Sequence, residues 1–412
     1  MSRAPLHKPV TSISAYPPFA ERLLRRWLDG WTEGGLVVVL PNGETISISG
    51  DGPAAVLSIH NLRFLWRVLA SGSVGFAEGY IAGEWDSPDL ALLLTLAAKN
   101  MDAMERRGTS GTPAARLIAR IRHSLRANTR AGSRRNIAAH YDLGNAFYAS
   151  WLDPSMSYSS ALFEDPSEEF ELAQRRKYHR LCEMLGLKGG MHVLEIGCGW
   201  GGFAEIAARE YGCRVTALTV SPQQATFARS RMQRLGLEDK VDIRLEDYRD
   251  VNGRFDADAS IEMFEAVGAE NWPIYFDTLQ RVLAPHGRAA IQTITIADAK
   301  LAEYKRSPDF IQRYIFPGGM LPSPSAFRGA ARAARFELKD ECFFGSSYTE
   351  TLRRWRAGFN AQWTRIVPMG FDERFRRTWN YYLCYCEAGF ANALTDVGQF
   401  LLVRGADASR SP

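Results

Sequence analysis

Between residues 188 and 296 the chain alternates strand-like and helix-like patterns: HVLEIG, FAEIAAREYG, RVTALTV, SPQQATFARSRMQRLG, VDIRLEDY, DASIEMF, NWPIYFDTLQRVLAPHG and RAAIQTITI. Short apolar, β-branched runs separated by amphipathic helices call for crossover connections, hence a parallel sheet with helices on both faces. The fold class expected is α/β, a doubly wound Rossmann-like sheet, with a small α+β domain ahead of it. Ligands of such sheets lie beyond the carboxyl ends of the strands. Glu265, in SIEMFEAVG, stands at one of those ends.

The loop after the first of these strands reads VLEIGCGWGG, residues 193–202. Its Gly-x-Gly-x-x-Gly spacing is shared with dinucleotide sites. Two residues argue for a different ligand. Glu195 precedes the glycines, and a carboxylate there repels a pyrophosphate but suits a cation. At the end of the next strand stands Thr219, where a ribose-binding acid is expected for a nicotinamide dinucleotide. S-adenosylmethionine carries a sulfonium and an ammonium and no phosphate, so it satisfies both observations, and the glycines allow close approach of the backbone.

The 412 residues, 46% apolar and 23% charged, suffice for more than one core. The division expected is a small α+β domain over 1–100, an arginine-rich linker or helix over 101–139, and a catalytic domain over 140–412. In the first, LVVVLPNGETISISGDGPAAVLSIH reads as a hairpin and a third strand, followed by helical patterns in NLRFLWRVLASG and LALLLTLAAKN. A net charge of +4 is too small to indicate nucleic-acid binding, and none is expected. The basic residues concentrate locally: Arg106, Arg107, Arg116, Arg120, Arg122, Arg126, Arg130, Arg134 and Arg135 face only Asp102 and Glu105. With Leu117, Ile118, Ile121 and Leu125 at helical spacing, this segment reads either as a solvated linker or as a basic amphipathic helix for an anionic membrane surface. The six cysteines have no metal-ligand spacing and read as reduced packing residues; no metal is expected. No apolar run reaches the about 18 residues that a membrane span needs, and the first thirty residues lack a signal-peptide core. A cytoplasmic protein is expected.

Seven ordered segments, HYDLGNAFYASWLDPSMSYSSALF, VLEIGCGWGG, LTVSPQQ, EDYRD, MFEAVG, YIFPGGMLPS and FRRTWNYYLCYCEAGF, resemble the cyclopropane-fatty-acyl-phospholipid synthase and mycolic acid methyltransferase family over about residues 135–405. The resemblance implies a cofactor, S-adenosylmethionine, contacted by Tyr158, Ser159, Gly197, Gly199, Gly201, Thr219, Gln224, Tyr248 and Arg249, with Glu195 beneath. It implies addition of the cofactor's methyl group to an acyl-chain double bond, leaving a carbocation that closes to a ring on proton loss. It further implies a bicarbonate ion as base, held by a Glu, a His, a Tyr and a backbone segment bearing a Cys. Glu265 and Tyr348 match the first and third of these.

Three positions depart from that pattern. Ser160 replaces the Cys, Ala266 follows Glu265 where His is common, and Gln292 replaces the His on the fifth strand. An amide hydrogen-bonds but neither carries charge nor relays a proton, so bicarbonate is expected to bind weakly. The first reading is then a methyl- or methylene-branched product from unsaturated phospholipid acyl chains, with Glu265 as proton acceptor or cation stabiliser and Tyr348 beside it. The alternatives are a true cyclopropane synthase in which Gln292 positions bicarbonate, a small-amine N-methyltransferase, and an inactive lipid-binding scaffold. The arginines of 106–135 are candidates for transient membrane anchoring at the inner face, and the small domain for a homodimer. Phe375, Trp379, Tyr382, Leu383, Cys386 and Phe390 fall at helical spacing and read as core or as the wall of an acyl tunnel.

Overall fold

A computed structural model describes Leu24, residues 28–106 and residues 143–405. The arginine-rich segment expected to touch membranes lies outside the described residues from 107 to 142. By contacts the chain divides into two units, Met1–Ile118 with Glu373–Ala388, and Ala119–Asp372 with Gly389–Pro412. The helix Glu373–Ala391 thus contributes most of its length to the unit built by the amino-terminal residues.

In the small unit, β1 (Gly35–Val39) pairs antiparallel with β2 (Thr45–Ile48) and parallel with β3 (Ala54–Ile59), and β4 (Trp85–Asp86) closes the sheet beside β3. The hairpin follows from Pro-Asn-Gly, whose Gly43 adopts φ 86°. Helices Arg63–Ser71 and Leu90–Arg106 fall where helical patterns were expected, and a further helix, Ser73–Ile81, which the sequence reading did not expect, stands between them. Arg377 is the main polar anchor of the carboxyl-terminal helix in this unit. It donates to the carbonyls of Tyr80 (2.6 Å) and Trp85 (3.0 Å) and to Asp86 (2.9 Å), with its guanidinium 4.0 Å from the Tyr80 ring centroid. The stretch considered as tunnel wall is largely interior: Trp379, Tyr382, Leu383 and Phe390 are buried.

The larger unit carries a seven-stranded sheet built from β5 (His192–Ile196), β6 (Arg214–Thr219), β7 (Val241–Leu245), β8 (Phe255–Ile261), β9 (Leu283–Ile296), β10 (Phe336–Phe343) and β11 (Thr395–Arg404), in the order β10-β11-β9-β8-β5-β6-β7. The five strands from β9 to β7 are parallel, and β11 inserts antiparallel between β9 and β10. Both faces are covered, as the apolar strands demand. Helices Phe170–Leu185 and Gly202–Arg209 pack on one face, Trp272–Val282 and Pro324–Ala333 on the other. From β5 the chain steps outward to β6 and β7, then returns to place β8 on the opposite side of β5. The crevice between the carboxyl ends of β5 and β8 is therefore the switch point at which such sheets bind ligands.

Replacing Arg377 with Ala removes hydrogen bonds to two backbone carbonyls, an ion pair with Asp86 and a cation–π contact in the small unit, although Tyr80 keeps the Gly83 N–H and Asp86 the Ser87 N–H. The expected loss is roughly 2–4 kcal/mol, read as a lowered urea midpoint; an unchanged midpoint would mean that the helix docks without this anchor.

Candidate functional site

The loop leaving β5 is shaped by its glycines. Gly197, Gly199 and Gly201 take φ of 87°, 53° and 84°, a region that side-chain-bearing residues rarely enter. The N–H groups of Gly197 and Cys198 both reach the Leu218 carbonyl (3.0 and 2.8 Å), tying the loop to β6. A Cβ on Gly197 would stand 2.7 Å from the Met263 side chain, so the loop after β8 lies directly against the glycine turn. At Gly199 a Cβ would meet nothing, which leaves open space above the turn. Over the loop runs the segment before the first helix of this unit's sheet: Trp200 donates to the Asn145 side chain (2.8 Å), and Asn145 donates to the Gln223 carbonyl.

The residues expected to hold a cofactor gather around this turn with different tasks. Glu195 is buried beneath it, near the Ala204 N–H at the start of the following helix, with Oε2 unpartnered among the described residues. Burial drives its pKa well up, with Arg231 opposing. Thr219 and Gln224, both buried, hydrogen-bond to each other (2.8 Å) beyond β6, and Ser221 caps the helix that begins at Pro222. Arg249 turns away to grip Asp247 (2.6 Å), while Tyr248 packs edge-on to Tyr275. Tyr158 stacks on Trp355 at 5.0 Å. The Ser159 hydroxyl oxygen accepts a hydrogen bond from Lys177 (2.6 Å). An open glycine turn flanked by neutral hydroxyl and amide groups fits S-adenosylmethionine, whose charges are cationic at sulfur and nitrogen.

The residues expected to do the chemistry converge on a group that the sequence reading passed over. Glu262, the first residue after β8, receives the Ser160 N–H (2.8 Å) and the Gln292 amide (2.8 Å) on Oε1, and the Tyr348 hydroxyl (2.6 Å) on Oε2. Its own N–H donates to the Gln292 carbonyl (2.8 Å), and its backbone sits at φ 50°. A non-glycine residue there is strained, and such strain concentrates at functional positions. Tyr348 was expected beside Glu265; its hydroxyl lies on Glu262 instead. Glu265 accepts from the Thr293 hydroxyl (3.0 Å) and the Ile294 N–H, its carbonyl takes the Met320 N–H, and its Oε2 has no partner among the described residues.

Both carboxylates are half-buried by surface yet surrounded by protein, as groups lining an enclosed slot are. Burial raises the pKa of each; that of Glu265 is pushed up to about 8, with the neighbouring Glu262 carboxylate as the second cause. Glu262 is drawn back down by Tyr348, Lys177, Ser160 and Gln292. Of the two, Glu262 is the one whose carboxylate form is stabilised by three donors, and Glu265 is the one pushed further toward its protonated form by its neighbour. Lys177, also absent from the sequence reading, is fully buried with its pKa lowered to about 7 by desolvation, against the pull of Glu262 and Asp153. Behind it, Gln399 on β11 donates to the Gln292 side chain (3.0 Å) and to the Lys177 carbonyl (3.2 Å). The signal for Glu262 stood in the quoted SIEMFEAVG, which carries two acids at the strand end.

A family model described as mycolic acid cyclopropane synthetase matches residues 128–400. The chain belongs to this family. It is 39% identical over 405 residues to the tuberculostearic acid methyltransferase UfaA1 of Mycobacterium tuberculosis, covering 96% of this chain and 93% of that protein. It is 36% identical over 368 residues to the cyclopropane-fatty-acyl-phospholipid synthase of Escherichia coli K12, covering 88% and 91%. Among solved structures, mycolic acid cyclopropane synthase CmaA1 complexed with SAH and CTAB aligns with TM-score 0.62 and 30% identity over 66% of this chain and 98% of that one. The protein is an S-adenosylmethionine-dependent methyltransferase of the cyclopropane-fatty-acid synthase family acting on lipids.

Gly199→Ala introduces a side chain into the open space over the turn at a left-handed backbone position, a strain of about 1 kcal/mol. Calorimetry is expected to show at least tenfold weaker S-adenosylmethionine binding with little loss of melting temperature; unchanged affinity would place the cofactor elsewhere. For Glu265→Gln the sign follows from linkage. A carboxyl whose pKa is raised to about 8 in the folded state binds a proton there that the unfolded chain has lost, so the parent loses stability as pH rises from its unfolded value toward 8. The variant lacks this loss. Its stability relative to the parent should climb between pH 5 and 8, by at most ~1.4 kcal/mol per pH unit, read as a growing difference in melting temperature, and a flat difference would mean that Glu265 is ionised throughout.

Proposed function

We propose that this methyltransferase adds the methyl group to a double-bond carbon of an unsaturated phospholipid acyl chain and releases a branched chain, methyl or methylene, rather than a ring. The observation that carries this reading is the convergence of Ser160, Gln292 and Tyr348 on Glu262. Bicarbonate does not fit this donor set: its hydrogen bonds are already given to a carboxylate, and a second anion against that carboxylate would be repelled. The similarity to a relative named as a methyltransferase, over nearly the whole chain, points the same way.

Bound S-adenosylmethionine supplies an electrophilic methyl group on a sulfonium. The chain's own residues provide the rest. The glycine turn lets the ligand lie close to the backbone, Thr219 and Gln224 offer neutral hydrogen bonds, and the neighbouring carboxyl groups of Glu262 and Glu265 sit where positive charge develops. Tyr158 stacks on Trp355 and Tyr348 on Phe390 (4.4 Å), and the two pairs meet edge-to-face through Tyr348 and Trp355 beside Glu262. Such faces stabilise a cation and shed water. Action at the inner face of a membrane, through the basic segment 106–135, and a dimer through the small unit belong to the same proposal.

The cyclopropane synthase reading is the second, favoured by the 36% identity to the Escherichia coli enzyme of that name. Cells expressing the chain and fed methyl-labelled methionine decide between them. Acyl chains one labelled carbon heavier, with branched fragmentation by mass spectrometry and no ring protons by NMR, are expected; a three-membered ring would establish the second reading, and an unlabelled profile would remove both.

A further inference from the structure

Resting on that reading, we propose that Glu262 is the proton acceptor of the reaction, a base built into the chain at the place where the family resemblance implies a bound bicarbonate. Three geometric facts carry this. First, its carboxylate is the common target of three donors from three separate parts of the unit: the Ser160 backbone, Gln292 on β9 and Tyr348 on the helix Gly345–Ala361. A site that spends three donors on one side chain fixes that side chain's direction to within the tolerance of hydrogen bonding. Second, the backbone at 262 is held in the left-handed region, with its N–H on the Gln292 carbonyl. That conformation is costly for a glutamate and is kept only where surrounding contacts impose it. Third, Met263, the next residue, lies against Gly197, so the backbone that carries Glu262 passes beside the turn that receives the cofactor.

The charge state suits the role. All three donors are neutral, so they draw the carboxylate's pKa down without the full ion pairing that a bonded guanidinium would impose. Burial raises its pKa, which strengthens it as a base. Glu265, with a pKa of about 8, stays protonated near neutrality and does not compete.

The step balances without an oxidant or reductant. The alkene electron pair forms a bond to the methyl carbon while the carbon–sulfur pair leaves with sulfur, giving S-adenosylhomocysteine and a cation on the adjacent carbon. A 1,2-hydride shift moves the positive charge onto the carbon that bears the new methyl group. Glu262 then removes a proton from that methyl group, the carbon–hydrogen pair becomes the new double bond, and the product is a methylene-branched chain. The proton passes from Glu262 to water in the course of turnover.

The test compares the parent enzyme, Glu262→Gln and Glu262→Ala on vesicles of unsaturated phosphatidylglycerol, in buffer stripped of carbon dioxide and then with added bicarbonate. The parent is expected to turn over equally in both. Glu262→Gln, of the same shape, should lose about 10²–10⁴-fold in kcat while calorimetric S-adenosylmethionine affinity stays within about threefold, which also reports folding. Glu262→Ala leaves the three donors facing a vacant pocket, and bicarbonate should restore its turnover at least tenfold. A parent that needs bicarbonate, or a Glu262→Gln variant within a few-fold of the parent, would overturn the assignment. The product is scored separately: a ring formed by a bicarbonate-independent, Glu262-dependent enzyme would refute the branched-product reading and still support Glu262 as the base.

Discussion

The architecture around the switch point depends on satisfying one buried carboxyl group, that of Glu262, with donors. An unpaired buried carboxylate costs several kcal/mol, and its pKa shifts until it neutralises unless donors compensate. Glu262 obtains its donors from elements far apart in sequence, at positions 160, 292 and 348. Meeting that demand draws the segment before the Phe170–Leu185 helix, strand β9 and the Gly345–Ala361 helix to one point. Gln399 extends the arrangement to β11 by orienting the Gln292 amide from its carbonyl side, so that the amide nitrogen faces Glu262. The buried Lys177, held by Ser159 and Gln174, adds an attractive field without touching the carboxylate directly.

A site of this kind treats positive charge as its ligand. The reacting methyl group enters on a sulfonium, and the acyl chain becomes cationic as it is methylated. Glu262 and Glu265 are coupled neighbours in largely desolvated surroundings, where a negative charge attracts a cation more strongly than in water, and the rings of Tyr158, Trp355, Tyr348 and Phe390 lie in contact with one another beside Glu262. The second carboxyl is not redundant. With its pKa pushed up to about 8 by burial first and by its neighbour second, Glu265 has its Oε1 on Thr293 and Ile294 and an Oε2 without a partner among the described residues, whereas Glu262 is held by three donors.

Much of this was legible in the residues and some was not, for identifiable reasons. Period-two apolar runs with intervening amphipathic helices gave the parallel strands and the helices on both faces, and glycines at 197, 199 and 201 marked a turn that only φ > 0 permits. The antiparallel β11 was invisible because strand order is set by tertiary pairing, and Gln399 acquires meaning only opposite Gln292. Lys177 sits in RRKYHR, which reads as a solvated helix face, yet the helix turns that one side chain under Ser159. Glu262 escaped because alternation along β8 assigns it a direction by parity, whereas its left-handed backbone re-aims it at the end of the strand.

The same geometry explains why the residues at 160, 262 and 292 are consistent with one another in a single chain. Were residue 292 a histidine, its ring would share a proton with the Glu262 carboxylate and form an ion pair, holding the carboxylate's pKa down and weakening it as a base. A glutamine amide supplies the same directional bond with no proton to exchange and no charge to offset. At Ser160 the contact is made by the backbone N–H while the hydroxyl turns to the Ala161 carbonyl (2.9 Å), so no thiol chemistry is called for at that position. An imidazole and a thiol suit a pocket that must attract a diffusible anion; neutral, non-titrating groups suit one whose anion is covalently part of the chain.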